Sequence, residues 1–193
     1  KTIIAYVDNA RLKAMCESDD HQGVVALVDS FGYQRQFFDS KKYPLVVILD
    51  RIHDPRNLGA ILRSAYCFNV SGIVLTEQAS CSITGTVVKS SAGLSEYCYI
   101  YKTKTIQVAV HEAKTQGYTI YATSMVGDAL SLVKPEGPSC IIIGNEHEGV
   151  SKNILDSNKT ISIAQKETES SLNASVAAGI VLYDFAFKMK LIG

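Results

Sequence analysis

Neither sign of charge predominates in this sequence: 19 lysines and arginines meet 19 aspartates and glutamates, so no global field draws the chain to nucleic acid or to a membrane surface. An RNA site, if present, is therefore a local patch. The cysteines Cys16, Cys67, Cys81, Cys98 and Cys140 include no C-x-x-C pair. That argues against a zinc site and for reduced thiols in a cytoplasmic protein. No apolar run reaches the roughly 20 residues that span a bilayer. The longest, residues 174–187, is broken by Ser175 and Asp184 and reads as a packed helix, so no membrane partner is expected. No signal-peptide series follows Lys1, and the start is expected to be a trimmed end.

Motif absences narrow the chemistry further. There is no G-x-G-x-x-G after the first buried strand, no G-x-x-x-x-G-K-[ST] and no G-x-S-x-G. Dinucleotide oxidoreductase, P-loop nucleotidase and ordinary α/β hydrolase readings all lose support. His147 has no H-E-x-x-H context and reads as a solvated side chain. His53 and Asp54 are adjacent and do not orient one another as a triad with Ser64 requires. Internal repeats and low-complexity tracts are lacking as well.

What remains is 193 residues, 47% hydrophobic and 20% charged, suited to one globular domain with an appendage. Folding at this length buries roughly 70% of the extended chain's surface, so neither disulfides nor a metal is needed for stability. An alternating run at residues 24–28 comes first, and residues 29–43 look like a connection. The main domain is expected from about Lys41. Leu45-Val46-Val47-Ile48-Leu49 reads as a strand covered on both faces. Further short runs at 72–75, 98–101, 118–122, 140–143 and 160–163 alternate with helical spacing at 57–68, 84–94, 105–116, 151–157 and 172–190. This is the α/β alternation of a parallel sheet. In the last helix Leu172, Val176, Ile180, Tyr183 and Phe187 form one apolar stripe, which suits either a core or an interface. The segment 127–138 is expected to be a surface turn region without chemistry.

Ligands of open parallel sheets bind beyond the carboxyl ends of the strands, and polar residues gather at three such places. After Leu49, the stretch 50–64 holds three of the chain's five arginines, Arg51, Arg56 and Arg63. Their forks suit phosphate or RNA, although pairing with Asp50 and Asp54 would account for them equally well. Asn57 suits a helix cap, and its spacing of six from Arg63 turns the two to different faces. After Ile143, Gly144-Asn145-Glu146-His147-Glu148-Gly149 brackets carboxylates with glycines at a strand-to-helix junction, where Ser151 is a candidate cap. Before the last helix, Ser170 or Ser171 is a candidate cap, and Asn173 is out of place one residue into an apolar helix.

In this order, Asp54-Pro55-Arg56-Asn57-Leu58-Gly59-Ala60-Ile61-Leu62-Arg63, then Ile143-Gly144-Asn145-Glu146-His147-Glu148-Gly149, then Ser171-Leu172-Asn173-Ala174-Ser175-Val176 resemble the three motifs of TrmH-like RNA ribose 2′-O-methyltransferases of the SPOUT superfamily. His21-Gln22-Gly23-Val24-Val25-Ala26 resembles the linker that follows a small RNA-binding domain in the branch acting on 23S rRNA guanosine. The resemblance implies a parallel-sheet SPOUT fold with a C-terminal trefoil knot over residues 41–193, preceded at 1–40 by the end of an RNA-binding domain and a linker. It implies S-adenosyl-L-methionine as cofactor, RNA as substrate, a homodimer and no metal. Arg63, Asn57, Ser171, Asn173 and Glu146 take the catalytic positions. Gly144, Asn145, Gly149, Ile163, Ser171, Leu172 and Asn173 take the cofactor positions, and Arg51, Arg56 and Arg63 the RNA contacts. One departure is Ile161-Ser162-Ile163, where the family usually has Ile-Pro. Since arginine holds its proton in water, Arg63 is expected to stabilise the forming alkoxide or relay a proton through RNA phosphate, not to act as a simple base. The rival readings are a tRNA ribose methyltransferase, a knotted RNA-binding protein without turnover, and a small-molecule-binding α/β protein.

Overall fold

The computed structural model describes residues 3–19, 21–145, 148–166 and 171–193. It divides into two units, Lys1–Gly32 and Tyr33–Gly193. In the first, Asn9–Cys16 forms helix α1, capped by Asp8, whose carboxylate accepts from the Arg11 amide at 2.8 Å. None of its residues is buried. The run at 24–28 forms no strand, and Val24, Leu27 and Val28 are exposed. Alternation alone does not make a strand; its backbone groups need a neighbouring strand, and among the described residues none pairs with this run.

The second unit is built on a six-stranded sheet in the order β3-β2-β1-β5-β4-β6, parallel throughout. The strands are β1 Leu45–Leu49, β2 Gly72–Thr76, β3 Ile100–Thr103, β4 Thr119–Ala129, β5 Ser139–Ile143 and β6 Lys159–Ser162. The helices are α2 Pro55–Cys67, α3 Gly85–Ser90, α4 Ile106–Thr115, α5 Lys152–Asp156 and α6 Ala174–Lys188. Every residue of β1 has 0% exposure, because β2 and β5 flank it and both sheet faces are covered. Successive residues of a strand face opposite layers. Val46, Ile48, Ile120, Ala122 and Ile142 accordingly share one core with α4 and with Ile154 of α5. Tyr121, between Ile120 and Ala122, meets Phe185 of α6 edge-on at 4.9 Å, which puts α6 on the other face.

Three expectations need correction. Residues 33–43 are more than a connection: Phe38 is buried in the core, its ring closes on Gly72, and the Gln34 amide donates to the Ile100 carbonyl at 2.7 Å. The segment 127–138 is not all turn. β4 continues through Asp128 and Ala129, which pair with β6 after a register shift from Thr123. Gly127 permits this, since a Cβ there would stand 2.7 Å from the Thr160 carbonyl oxygen. The last helix starts at Ala174, so Leu172 precedes it, and Val176, Ile180, Tyr183 and Phe187 face outward. Its buried face is Ala174, Ala178, Val181, Leu182, Phe185 and Ala186. Among the described residues no helix is long and apolar enough to cross a membrane, and all five cysteines are free thiols.

Candidate active site

The sheet order brings the carboxyl ends of β5, β4 and β6 side by side. β5 lies between β1 and β4 although the chain reaches it later, so the connections leaving these strands converge at one edge. A cleft of about 310 Å³ opens there. Gly144, Asn145, Gly149, Ile163, Ser171 and Leu172, all named from sequence as cofactor positions, line it together. Ile143, Val150, Leu155 and Ile161 give it apolar walls. Thr123, Ser124 and Met125 also contribute, and sequence reasoning missed them. Their only signal was Gly127, the residue that lets β4 step out of register beside β6.

The loop after β5 is packed against itself. A Cβ on Gly144 would lie 2.3 Å from the Gly149 carbonyl carbon and 2.4 Å from the Val150 nitrogen, so only glycine fits. The Gly149 amide donates to the Asn145 carbonyl at 2.9 Å, and the Glu148 amide to Asn145 Oδ1 at 3.1 Å. Asn145 Nδ2 in turn donates to the Arg51 carbonyl at 2.9 Å, tying this loop to the end of β1. Glu146 and His147 lie outside the described residues. Ser151 occupies the cap position of α5 but makes no side-chain capping bond.

The β1–α2 segment is arranged differently from its reading in sequence. Asp54, not Asn57, caps α2, accepting from the Arg56 amide at 2.8 Å. Proline suits the first helical position because its missing N–H would be unpaired there anyway, and the cap falls on the residue before it. Asn57 thus sits inside the first turn, where its Oδ1 accepts from Asn173 Nδ2 at 3.1 Å. Asn173 itself caps α6, its Oδ1 accepting from the Ser175 amide at 2.9 Å and hydroxyl at 2.6 Å. That accounts for an asparagine at the head of an apolar helix. It also corrects the cap assigned to Ser171; Ser170 lies outside the described residues.

The three arginines part company. The Arg51 Nε donates to buried Asp50 at 3.1 Å, Nη1 pairs with Glu148, and Nη2 donates to the Gly149 carbonyl at 3.3 Å. Partial burial pulls its pKa down, but the hydrogen bond and charge of Asp50, then those of Glu148, outweigh this and raise it. Arg56 and Arg63 are exposed on α2 and do not line the cleft. The structure therefore joins Asn57 to Asn173 beside the cleft and leaves Arg63 outside the cleft of its own chain.

Residues 44–183 match the model of the SpoU rRNA Methylase family. An uncharacterized tRNA/rRNA methyltransferase of Synechocystis is 36% identical over 95% of this chain and 50% of its own length, so the chain spans about half of that relative. A protein of Staphylococcus haemolyticus named as a TrmH family tRNA/rRNA methyltransferase is 32% identical over 100% of this chain and 80% of its own. Among solved structures, the AdoMet-bound rRNA methyltransferase of Sinorhizobium meliloti superposes with a TM-score of 0.71 at 26% identity, covering 83% of this chain and 63% of that one. The TrmH/SpoU tRNA modifying enzyme of A. aeolicus gives 0.69 at 27% identity, covering 77% of each chain.

Proposed function

The chain belongs to the SpoU rRNA methylase family, and from that premise we propose that it transfers a methyl group from S-adenosyl-L-methionine to a ribose 2′-hydroxyl of structured RNA, with a guanosine of 23S rRNA as the leading target. The observation that carries this reading is the cleft. Residues from two motifs far apart in sequence, Gly144, Asn145 and Gly149 on one side and Ser171 and Leu172 on the other, converge on it. Its apolar walls suit a purine face, and its strand-end backbone and Ser171 offer polar groups at the edges.

Bound there, S-adenosylmethionine supplies an electrophilic methyl group on a sulfonium. Backbone groups around Gly144 and Ile163 would hold the adenosyl part, and Ser171 and Leu172 would line the cleft with Asn173 beside them. Asn57 fixes Asn173, and Glu146 completes the set. Transfer would be an in-line displacement that forms the oxygen–methyl bond as the sulfur–methyl bond breaks and S-adenosylhomocysteine leaves, with the hydroxyl proton passing to RNA phosphate, so the chain mainly has to align the acceptor and stabilise its oxygen, a task that needs no metal. Arg63 does so as a cation, and with Arg56 it meets RNA phosphate. Because Arg63 lies outside its own cleft, the reading includes a homodimer in which it serves the partner's site; exposed Val176, Ile180, Tyr183 and Phe187 on α6 support that interface. In this reading residues 1–40 serve as an RNA-binding segment and linker whose last residues, including Gln34 and Phe38, pack on the catalytic domain of residues 41–193; that domain carries the trefoil knot, and the protein acts in the cytoplasm.

Calorimetric titration with S-adenosylhomocysteine tests the cleft without the RNA. Saturation near one site per chain is expected, and a folded dimer that binds none would leave a knotted RNA-binding protein. Arg63→Ala should abolish product while sparing this binding; undiminished methylation would remove its assigned role. A tRNA target is the second reading, favoured by the likeness to the A. aeolicus enzyme. Mapping the methylated nucleotide separates the two.

A further inference from the structure

One polar side chain that the proposed chemistry does not use is bonded to residues that line the cleft. Arg51 follows β1 in a left-handed conformation, φ 54°, and its backbone and side chain together reach groups of three separate segments. Its amide donates to Thr76 Oγ1 at the end of β2 at 3.1 Å. Its Nε is held by Asp50, which is only 2% exposed. The remaining nitrogens reach across to Glu148 and the Gly149 carbonyl, and its own carbonyl receives Asn145 Nδ2. Asn145, Glu148 and Gly149 all line the cleft. In sequence Arg51 counted with Arg56 and Arg63 as an RNA contact, yet its fork is occupied by carboxylates and a carbonyl of its own chain.

We propose that Arg51 is a positioning residue for the cofactor: anchored by buried Asp50, it is a latch that holds Asn145, Glu148 and Gly149 where they line the cleft that receives S-adenosylmethionine. This rests on the reading of the cleft as the cofactor site. The guanidinium fork is what the task needs, because one planar group has to serve Asp50, Glu148 and a carbonyl at once. An ammonium in its place is a single point charge and serves only part of the set.

The test is titration of the full chain with S-adenosylhomocysteine, alongside its thermal melting without ligand. Arg51→Ala should weaken binding roughly tenfold, as expected for losing hydrogen bonds to charged partners. Arg51→Lys should recover part of the loss. Glu148→Gln leaves the Asp50 anchor intact and removes only the loop end of the latch. It should weaken binding about threefold without shifting the melting temperature, since Glu148 is largely exposed and such pairs are modest. Added on top of Arg51→Ala it should have no further effect. Raising the salt to about 1 M should cost the unmodified chain more affinity than it costs Glu148→Gln, because salt screens the pair. If the unmodified chain binds and both Arg51→Ala and Glu148→Gln bind equally well, the latch is wrong and Arg51 returns to the RNA face. If affinity falls only in step with the melting temperature, and lysine restores neither, Arg51 is a folding residue and the proposal fails. If the unmodified chain does not bind, the cofactor reading itself falls and takes the latch with it.

Discussion

The two faces of α6 are made of the same kinds of residue and meet different fates. Ala178, Val181, Leu182 and Phe185 turn inward and are at most 1% exposed. Val176, Ile180, Tyr183 and Phe187 keep 50%, 40%, 50% and 58% of their surface open. Each face has aliphatic side chains and a phenylalanine, so hydrophobicity does not separate them. Neighbours do: Phe185 has Tyr121 of β4 against it, whereas Phe187 stacks on Tyr183 of its own helix and Tyr183 meets Phe68 at the end of α2. The outward residues Ile180 and Tyr183 border a depression of about 540 Å³ that includes Leu130, Ile163 and Ala164. A connected apolar surface of this kind is what assembly covers. The inner face folds the chain, and the outer face is the one the proposed homodimer would cover.

Substitutions at matched residues set this contrast to the test. Phe185→Ala should destabilise the fold by about 3–5 kcal/mol, the range for truncating a buried aromatic. Urea denaturation reads this directly, and a loss below about 1 kcal/mol would mean the inner face is not the folding face. Ile180→Asp combined with Tyr183→Asp should leave the fold in place and raise the dissociation constant of the proposed homodimer at least about a hundredfold, because assembly would bury each new charge. Sedimentation decides it, and an undiminished dimer would assign assembly to another surface. The smallest effect concerns a thiol rather than a side chain of α6. Cys98 is half-covered, and burial, reinforced by Cys67, pushes its pKa up to about 11. The folded chain holds this proton longer than the unfolded one, whose thiol titrates near about 8.5. Its contribution to stability is thus complete below that pH and fades as the pH climbs toward about 11. Cys98→Ala should flatten the alkaline decline in melting temperature; an unchanged slope would place the titrating group elsewhere.

Much of the frame was legible in sequence because it depends on local pattern. Five consecutive apolar residues made β1 a central buried strand, and the strand-helix alternation announced a parallel sheet. The cleft residues Gly144, Asn145 and Gly149 were recognisable because glycines at a strand end admit close backbone approach. Less legible were features set by partners distant in the chain. Asn57 looked like a cap and instead receives Asn173, 116 residues away. Arg51 looked like an open phosphate contact until the loop 97 residues on brought Glu148 to it. Phe38 looked like part of a linker because nothing nearby in sequence shows that its ring closes on Gly72. Ser124 and Met125 entered the cleft only through the register shift of β4, which hydrophobic periodicity does not encode.

By itself, then, the amino-acid order determined most of the strands and helices of the second unit and the three motifs that mark its family. Those choices follow from side-chain periodicity and from the stereochemistry of proline and glycine. Tertiary structure decided which face of α6 turns inward, which residue caps each helix that borders the cleft, and whether an arginine is free for RNA or held by a carboxylate. Each of these is settled by competition among long-range partners for the same groups, and that competition has an outcome only once the sheet order has put β5 between β1 and β4.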